Sequence, residues 1–259
     1  MSDNSFQGLR VMVSAGASGI GLEIAKAFLQ SGARVEICDI SESAMVSASS
    51  VLTGMGTWVA DVSNPHEVNA WFDHALSALG GLDVLVNNAG IAGPTARIED
   101  IEPAEWDQTM AVNLRSQYLC VRRAVPALRQ SSRGTIINLS SIAGRLGYPM
   151  RTPYASSKWA VVGLTQSLAL ELGNDDITVN AILPGIVDSE RSRKVTAAKA
   201  QARNISEEKM MSEILSNVAL HRKVPLADVA QTALFLASPV GRSFTGQSMN
   251  VCAGIQSLL

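Results

Sequence analysis

Short runs of β-branched and aliphatic residues recur along this chain at 11–14, 34–39, 57–61, 84–87, 135–140 and 177–183. Between them lie amphipathic stretches with helical spacing, among them 22–31, 68–79 and 106–125. Strands that are apolar on successive residues are buried on both faces, and strands joined by helical crossovers pair in parallel. Right-handed crossovers leave few arrangements other than an α/β fold, a doubly wound parallel β-sheet with helices on both faces. Ligands of such sheets bind at the carboxyl ends of the strands.

A length of 259 residues lies in the upper range of one α/β domain. With no internal repeat, low-complexity tract or linker, residues 1–259 are expected to form a single domain. The segment 188–223, polar, charged and helical in propensity, breaks the strand-helix rhythm and reads as an insertion over the carboxyl edge of the sheet. A net charge of -2 provides no basic field for nucleic acid, and no apolar run approaches the roughly 18 to 20 residues that span a bilayer. A soluble protein is expected, with no nucleic acid or membrane among its partners. Residues 1–7 lack the basic and then apolar sections of a signal peptide, which favours a cytoplasmic location. Cys38, Cys120 and Cys252 are odd in number and lie among apolar neighbours, as suits reduced core thiols. Neither they nor His66, His74 and His221 show metal-ligand spacing, so no metal is expected.

The first strand runs directly into "VMVSAGASGIGL", residues 11–22. A glycine-rich turn that opens a helix presents unpaired N–H groups and a partial positive charge to a phosphate. The next strand ends in Asp39, eighteen residues past Gly21, where a carboxylate can accept hydrogen bonds from an adenosine ribose. Dinucleotide binding and a tight packing turn without ligand are both open on the loop alone.

In "INLSSIAGRLGYPMRTPYASSKWA", Ser141 stands thirteen residues before Tyr154 and Lys158 four after it. On a helix Tyr154 and Lys158 share a face. A free phenol titrates near about 10 and is a poor acid or base at neutral pH; an ammonium one turn away favours its phenolate. A serine hydroxyl could hold the reacting oxygen. Tyr and Lys at this spacing are also common in purely structural roles.

Together these residues resemble the short-chain dehydrogenase/reductase family, over nearly the whole chain. The stretch 14–21, with Ser14, Ala15, Gly16, Ser18, Gly19, Ile20 and Gly21, is similar to the family's T-G-x-x-x-G-x-G loop. Asp61-Val62 is similar to its adenine-contacting pair, and Asn87-Asn88-Ala89-Gly90 to its N-N-A-G strand end. Asn113 matches its structural and proton-relay asparagine; Ser141, Tyr154 and Lys158 match its serine and Y-x-x-x-K. Pro184, Gly185, Val187 and Ser189 resemble the segment that holds the nicotinamide carboxamide. The resemblance implies a Rossmann fold and hydride transfer between a nicotinamide and a carbinol carbon. Tyr154 would act as general acid or base, Ser141 would orient the oxygen, Lys158 would also hold the nicotinamide ribose, and Asn113 would anchor a relay water. It also implies that 188–223 folds over substrate. The family is mostly dimeric or tetrameric, and the stretch 154–172 is apolar on more than one face, so a homotetramer is expected.

Charge favours NAD as cofactor, because Asp39 and Ser18 stand where a 2′-phosphate would want a basic residue. Arg151, three residues before Tyr154, occupies a position where relatives acting on small hydroxy acids or sulfonates carry a cation; an exposed loop arginine is the plainer reading. Arg145 and Arg191 are weaker substrate candidates. The expectation is an NAD-dependent alcohol or sugar dehydrogenase for a polar, anionic small molecule. The alternatives are an NADPH-dependent 3-oxoacyl carrier-protein reductase and a non-catalytic dinucleotide-binding regulator. Trp58, Trp71, Trp106 and Trp159 are expected in the core or an interface, and 192–211 as a solvated helical face. Two departures from the family pattern stand out. Cys252-Ala253 replaces an Asp-Gly pair, putting local hydrogen bonding and the tetramer contact in question. Ala15 fills the first glycine of the loop, where it is harmless at negative φ and strained at positive φ unless Gly16 takes up the turn.

Overall fold

The computed structural model describes residues 4–258. Its strands are β1 (Arg10–Ser14), β2 (Arg34–Asp39), β3 (Gly56–Val59), β4 (Val84–Asn87), β5 (Thr135–Leu139), β6 (Thr178–Pro184) and β7 (Ser248–Val251). Its α-helices are α1 (Gly19–Gln30), α2 (Glu42–Val51), α3 (Pro65–Leu79), α4 (Pro103–Met110), α5 (Ser116–Leu128), α6 (Thr152–Glu171), α7 (Glu190–Ala202), α8 (Glu207–Ser216) and α9 (Leu226–Ala237). All seven strands form one sheet in the order β3-β2-β1-β4-β5-β6-β7, every pair parallel. The doubly wound sheet read from the sequence is therefore present.

Continuous apolar runs become two cores because side chains alternate across a strand. Val11 and Val13 of β1, Val84 and Val86 of β4 and Ile137 of β5 join one core with α1, α2 and α9. Met12, Leu85 and Ile136, the residues between them, join the other with α3, α5 and the end of α6. The strand order reverses between β1 and β4, which leaves a crevice at their carboxyl ends.

Local chemistry sets the helix ends. The Asn64 side chain accepts from the His66 N–H at 3.0 Å, Pro65 needs no donor at the first position, and Gly80 closes α3 at φ 72°. The stretch expected as one helix at 106–125 is interrupted. Between α4 and α5 the residues Ala111–Arg115 form a π-helical turn, a wider winding that places Asn113 inward and fully buried. The expected solvated face at 192–211 is corrected as well: Thr196, Lys199, Ala200 and Met210 are buried. A small core of Ala200, Met210 and Ile214 pins α7 to α8. Of the tryptophans, Trp71 is wholly buried, while Trp159 on α6 is half exposed.

Candidate active site

The loop after β1 is clamped to the end of β4 across the crevice. Ser14 Oγ accepts from the N–H groups of Asn88 (3.0 Å) and Ala89 (3.1 Å), and Asn88 Nδ2 donates to the carbonyls of Ser14 (3.1 Å) and Ala15 (2.9 Å). Gly21 packs into this clamp: a Cβ there would lie 2.2 Å from the Ala15 carbonyl oxygen and 2.4 Å from Asn88 Nδ2. Gly16 packs on Ile37, where a Cβ would lie 2.7 Å from the side chain. Its N–H donates to the Cys38 carbonyl, and that of Ala17 donates to Asp39 Oδ2 at 3.2 Å. Ala15 adopts φ 50°, and Gly16 is not among the residues with positive φ. The reading in which alanine keeps a negative φ, and the one in which Gly16 absorbs the strain, are thus both excluded. A left-handed alanine costs on the order of 1 kcal/mol, held here by the Asn88 bond to its carbonyl.

The start of α1 suits a dinucleotide's phosphates. Ser18 and Gly19 are exposed, the Ser18 hydroxyl makes no capping bond, and nothing lies within 4 Å of where a Gly19 Cβ would be. Gly19, at φ 54°, leaves the helix N-terminus bare to an approaching anion. Asp39 is buried at the next strand end. Its Oδ1 accepts from the Ser41 N–H at 3.1 Å and Oδ2 from Ala17; each carboxylate oxygen retains a lone pair for a ribose hydroxyl. Asp61 Oδ1 accepts from the Ser63 N–H beyond β3, and Val62 beside it is buried. Past β6, Gly185 donates to the Val251 carbonyl, Val187 bridges Val224, and Ser189 Oγ caps α7 by accepting from Ser192. As an acceptor there, Ser189 keeps its own proton to donate.

On the far side of the crevice, α6 carries Tyr154 and Lys158 one turn apart, with Lys158 Nζ 5.8 Å from the Tyr154 ring centroid. Ser141, at the end of β5, caps a short 3-10 turn by accepting from the Ala143 N–H. Lys158 is 3% exposed and donates to the Leu139 carbonyl at 2.9 Å. Burial, with the charge of Arg191 adding to it, lowers the Lys158 pKa to about 7. Asn113 holds the loop after β4: its Oδ1 accepts from the Ile91 N–H (2.7 Å), and its Nδ2 donates to the Ile91 carbonyl (3.1 Å) and Ser157 Oγ (3.0 Å). Three of the four hydrogen bonds open to the Asn113 amide are thus made to protein, which fixes the side chain in place. Gly90 fits between these groups, for a Cβ there would lie 3.3 Å from both Asn113 Oδ1 and Lys158 Nζ.

Arg151, the residue before α6, is not a solvated loop arginine: it is 2% exposed. Its Nη2 donates to the Ala92 carbonyl at 2.6 Å, while Nε and Nη1 have no hydrogen-bond partner among the described residues. Its Cζ lies 5.1 Å from the Tyr154 ring centroid and 5.4 Å from that of Tyr148. Of the other candidates, Arg191 is exposed, yet its charge reaches both Arg151 and Lys158. Arg145 faces elsewhere and donates to the Ser248 carbonyl of β7 at 2.9 Å. Sequence reasoning missed Tyr148 and Lys199, which meet Arg151 only through folding. It also missed a cavity of about 530 Å³ lined by Leu146, Tyr148, Pro149 and the C-terminal Gln256, Ser257 and Leu258.

A switch-point crevice with an open helix N-terminus on one wall and a Ser-Tyr-Lys set on the other defines a dinucleotide-binding oxidoreductase. Residues 14–256 match the family described as enoyl-(acyl carrier protein) reductase. The D-beta-hydroxybutyrate dehydrogenase of Cupriavidus necator is 34% identical, covering 95% of this chain and 97% of its own. The 3-oxoacyl-(acyl-carrier-protein) reductase of Staphylococcus aureus is 35% identical over 76% of this chain and 75% of its own. A crystal structure of a variant of actinorhodin polyketide ketoreductase with NADPH superposes with a TM-score of 0.90 at 31% identity, covering 94% of this chain and 95% of that one. The chain belongs to the short-chain dehydrogenase/reductase family.

Proposed function

We propose that this protein is an NAD-dependent dehydrogenase acting on a small anionic secondary alcohol, or in reverse on its ketone: a hydroxy acid, a sulfonate or an acidic sugar. The observation that carries this reading is Arg151, a buried guanidinium beside Tyr154 with two nitrogens unpartnered among the described residues. Leaving such donors unsatisfied costs several kcal/mol. A substrate carboxylate or sulfonate there removes the cost and sets the carbinol next to the tyrosine.

The nicotinamide cofactor, when bound, supplies the hydride acceptor or donor. Its phosphates would rest on the N-terminus of α1 near Ser18, Gly19 and Ile20, its adenosine near Asp39, Asp61 and Val62. Its nicotinamide half would lie among Asn88, Ala89, Gly90, Tyr154, Lys158, Pro184, Gly185, Val187 and Ser189. Tyr154 takes the proton of the substrate hydroxyl in oxidation and returns it in reduction, Ser141 holds the oxygen in place, and Lys158 stabilises charge on the phenol oxygen. Asn113 fixes the strand end that borders them. Asp39 supports NAD over NADP, since among the described residues its hydrogen bonds come only from main-chain N–H groups and no cation neutralises it toward a 2′-phosphate.

The α7–α8 segment serves as the substrate cover, and its small separate core suits a part that opens alone. Exposed Tyr118, Trp159 and Leu170 on α5 and α6 support assembly through these helices into a homotetramer. Three free, buried cysteines support a reducing, cytoplasmic setting.

The test is a panel of hydroxy acids, sulfonates, sugar acids and neutral alcohols of matched size, with NAD and NADP, read as NADH or NADPH absorbance. The expected result is a higher kcat/KM with NAD. Arg151→Ala should raise KM at least ~10-fold for anions and leave neutral alcohols unchanged. Equal effects on both classes overturn the anionic assignment, and equal or better use of NADP overturns the role of Asp39.

A further inference from the structure

A second buried cation lies beside Arg151. Lys199 of α7 is 4% exposed, and its Nζ sits 4.1 Å from the centroid of the Tyr148 ring, the same ring that Arg151 approaches. Among the described residues its ammonium makes no ion pair and no hydrogen bond to protein. Its polar surroundings are cationic or phenolic. Tyr148 and Arg151 face it from the segment before α6, and Arg203 from the end of its own helix. Behind them stand Tyr154 and Lys158 of α6 and Arg191 at the start of α7. The carboxylate nearest in this chain of contacts, Glu213 of α8, is bound to Arg203 at 2.5 Å. Two buried charges of one sign against one ring repel each other, and the ring face offsets only part of that cost.

We propose that Lys199 is a second substrate-recognition residue, closing with Arg151 on one carboxylate or sulfonate that binds against Tyr148. This rests on the anionic reading of the site and extends it: the cover brings half of the anion's binding charge. Capture and closure are then coupled, because an anion bound there offsets the cost of burying the α7 ammonium beside Arg151. Lys199 is also the part of the pair that can titrate. Burial, aided by the charges of Arg151 and Arg203, lowers its pKa to about 8, so the ammonium is lost as pH rises through that value, whereas Arg151 stays charged.

The test uses the whole enzyme and the best anionic alcohol from the panel, with kcat and KM measured from about pH 6.5 to 10 for the wild type, Lys199→Met, Lys199→Arg and Arg151→Ala. Direct titration calorimetry with acetate and methanesulfonate provides a readout apart from turnover, and melting curves check folding. Lys199→Met should raise KM and weaken anion binding about 10-fold at pH 7, with little change in kcat or in KM for a neutral alcohol. Wild-type KM should climb above about pH 8, while Lys199→Met shows no such climb and Lys199→Arg keeps a low KM past about pH 9. An unchanged KM in Lys199→Met, or an unaltered pH profile in Lys199→Arg, overturns the role of Lys199. If Arg151→Ala alone raises the anion KM, only this inference fails. If neither variant affects it, the anionic reading fails with it.

Discussion

Replacing Lys158 by methionine is expected to make the protein more stable while abolishing most turnover, with a stability gain that depends on pH. Lys158 is 3% exposed, and among the described residues its ammonium donates one hydrogen bond, to the Leu139 carbonyl. No carboxylate accompanies it, and burial lowers its pKa to about 7. An unfolded lysine titrates near about 10.4, so at pH 6 the native chain holds an ammonium that water would hold more favourably. At ~1.4 kcal/mol per pH unit, that difference amounts to ~5 kcal/mol. Methionine removes the shorter of two side-chain bonds to the Leu139 carbonyl and leaves the 3.4 Å one from Gln117 Nε2; that costs back ~1 to 3 kcal/mol, so the net gain at pH 6 is ~2 to 4 kcal/mol. Between about pH 7 and 10 the unfolded wild type binds more protons than the native state. Its stability therefore rises with pH across that window, while the variant lacks this rise. For a chain of this size 1 kcal/mol shifts Tm by ~2 to 4 °C, so calorimetry at pH 6 should find the variant melting at least ~4 °C higher, with the gap closing toward pH 10. A variant that melts below wild type at pH 6, or a gap independent of pH, refutes the reasoning.

Four further outcomes follow from the geometry. Ala15→Gly relieves a left-handed alanine but loosens the unfolded chain, so stability should change by less than ~1 kcal/mol in urea titrations, with the cofactor dissociation constant equal or lower. Gly21→Ala drives a methyl into the Ala15 carbonyl and Asn88 and should abolish cofactor binding in a fluorescence titration. Gly19→Ala meets nothing within 4 Å and should cost only the ~1 kcal/mol of its positive φ. At the opposite end of the sheet, Arg10 grips Asp83 through Nε at 2.9 Å and Nη2 at 2.7 Å. Burial pushes the Asp83 pKa up, but bonds from Arg10 and Ser131 outweigh it and hold it below the ordinary value. The stability this adds is complete above pH ~4 and disappears as pH falls through the lowered value. Asp83→Asn should cost ~2 kcal/mol at pH 7 by urea midpoint and be less acid-sensitive than wild type.

How much of this was legible beforehand follows the range of the interactions. The strands at 34–39 and 84–87 coincide with β2 and β4 because a continuous apolar run between turn signals is a local pattern. The break at Ala111–Arg115 left no such trace, since a π turn forms where one inward residue must reach a distant loop, here Asn113 reaching Ile91. The polar stretch 192–211 reads as solvated when its charges are merely counted, yet Lys199 is buried by what packs over it.

By itself, the sequence determined the alternation of strand and helix, the bare helix start after β1 and the one-turn spacing of Tyr154 and Lys158. Each of these follows from backbone periods and short-range stereochemistry that any window of the chain carries. Only the tertiary structure decided that Ala15 must stand at positive φ, its carbonyl tied to Asn88 from the far side of the switch point. It alone also decided that Arg151 and Lys199 are buried on one tyrosine ring. A charge's solvation depends on everything packed around it, and those neighbours come from segments the chain separates by tens of residues.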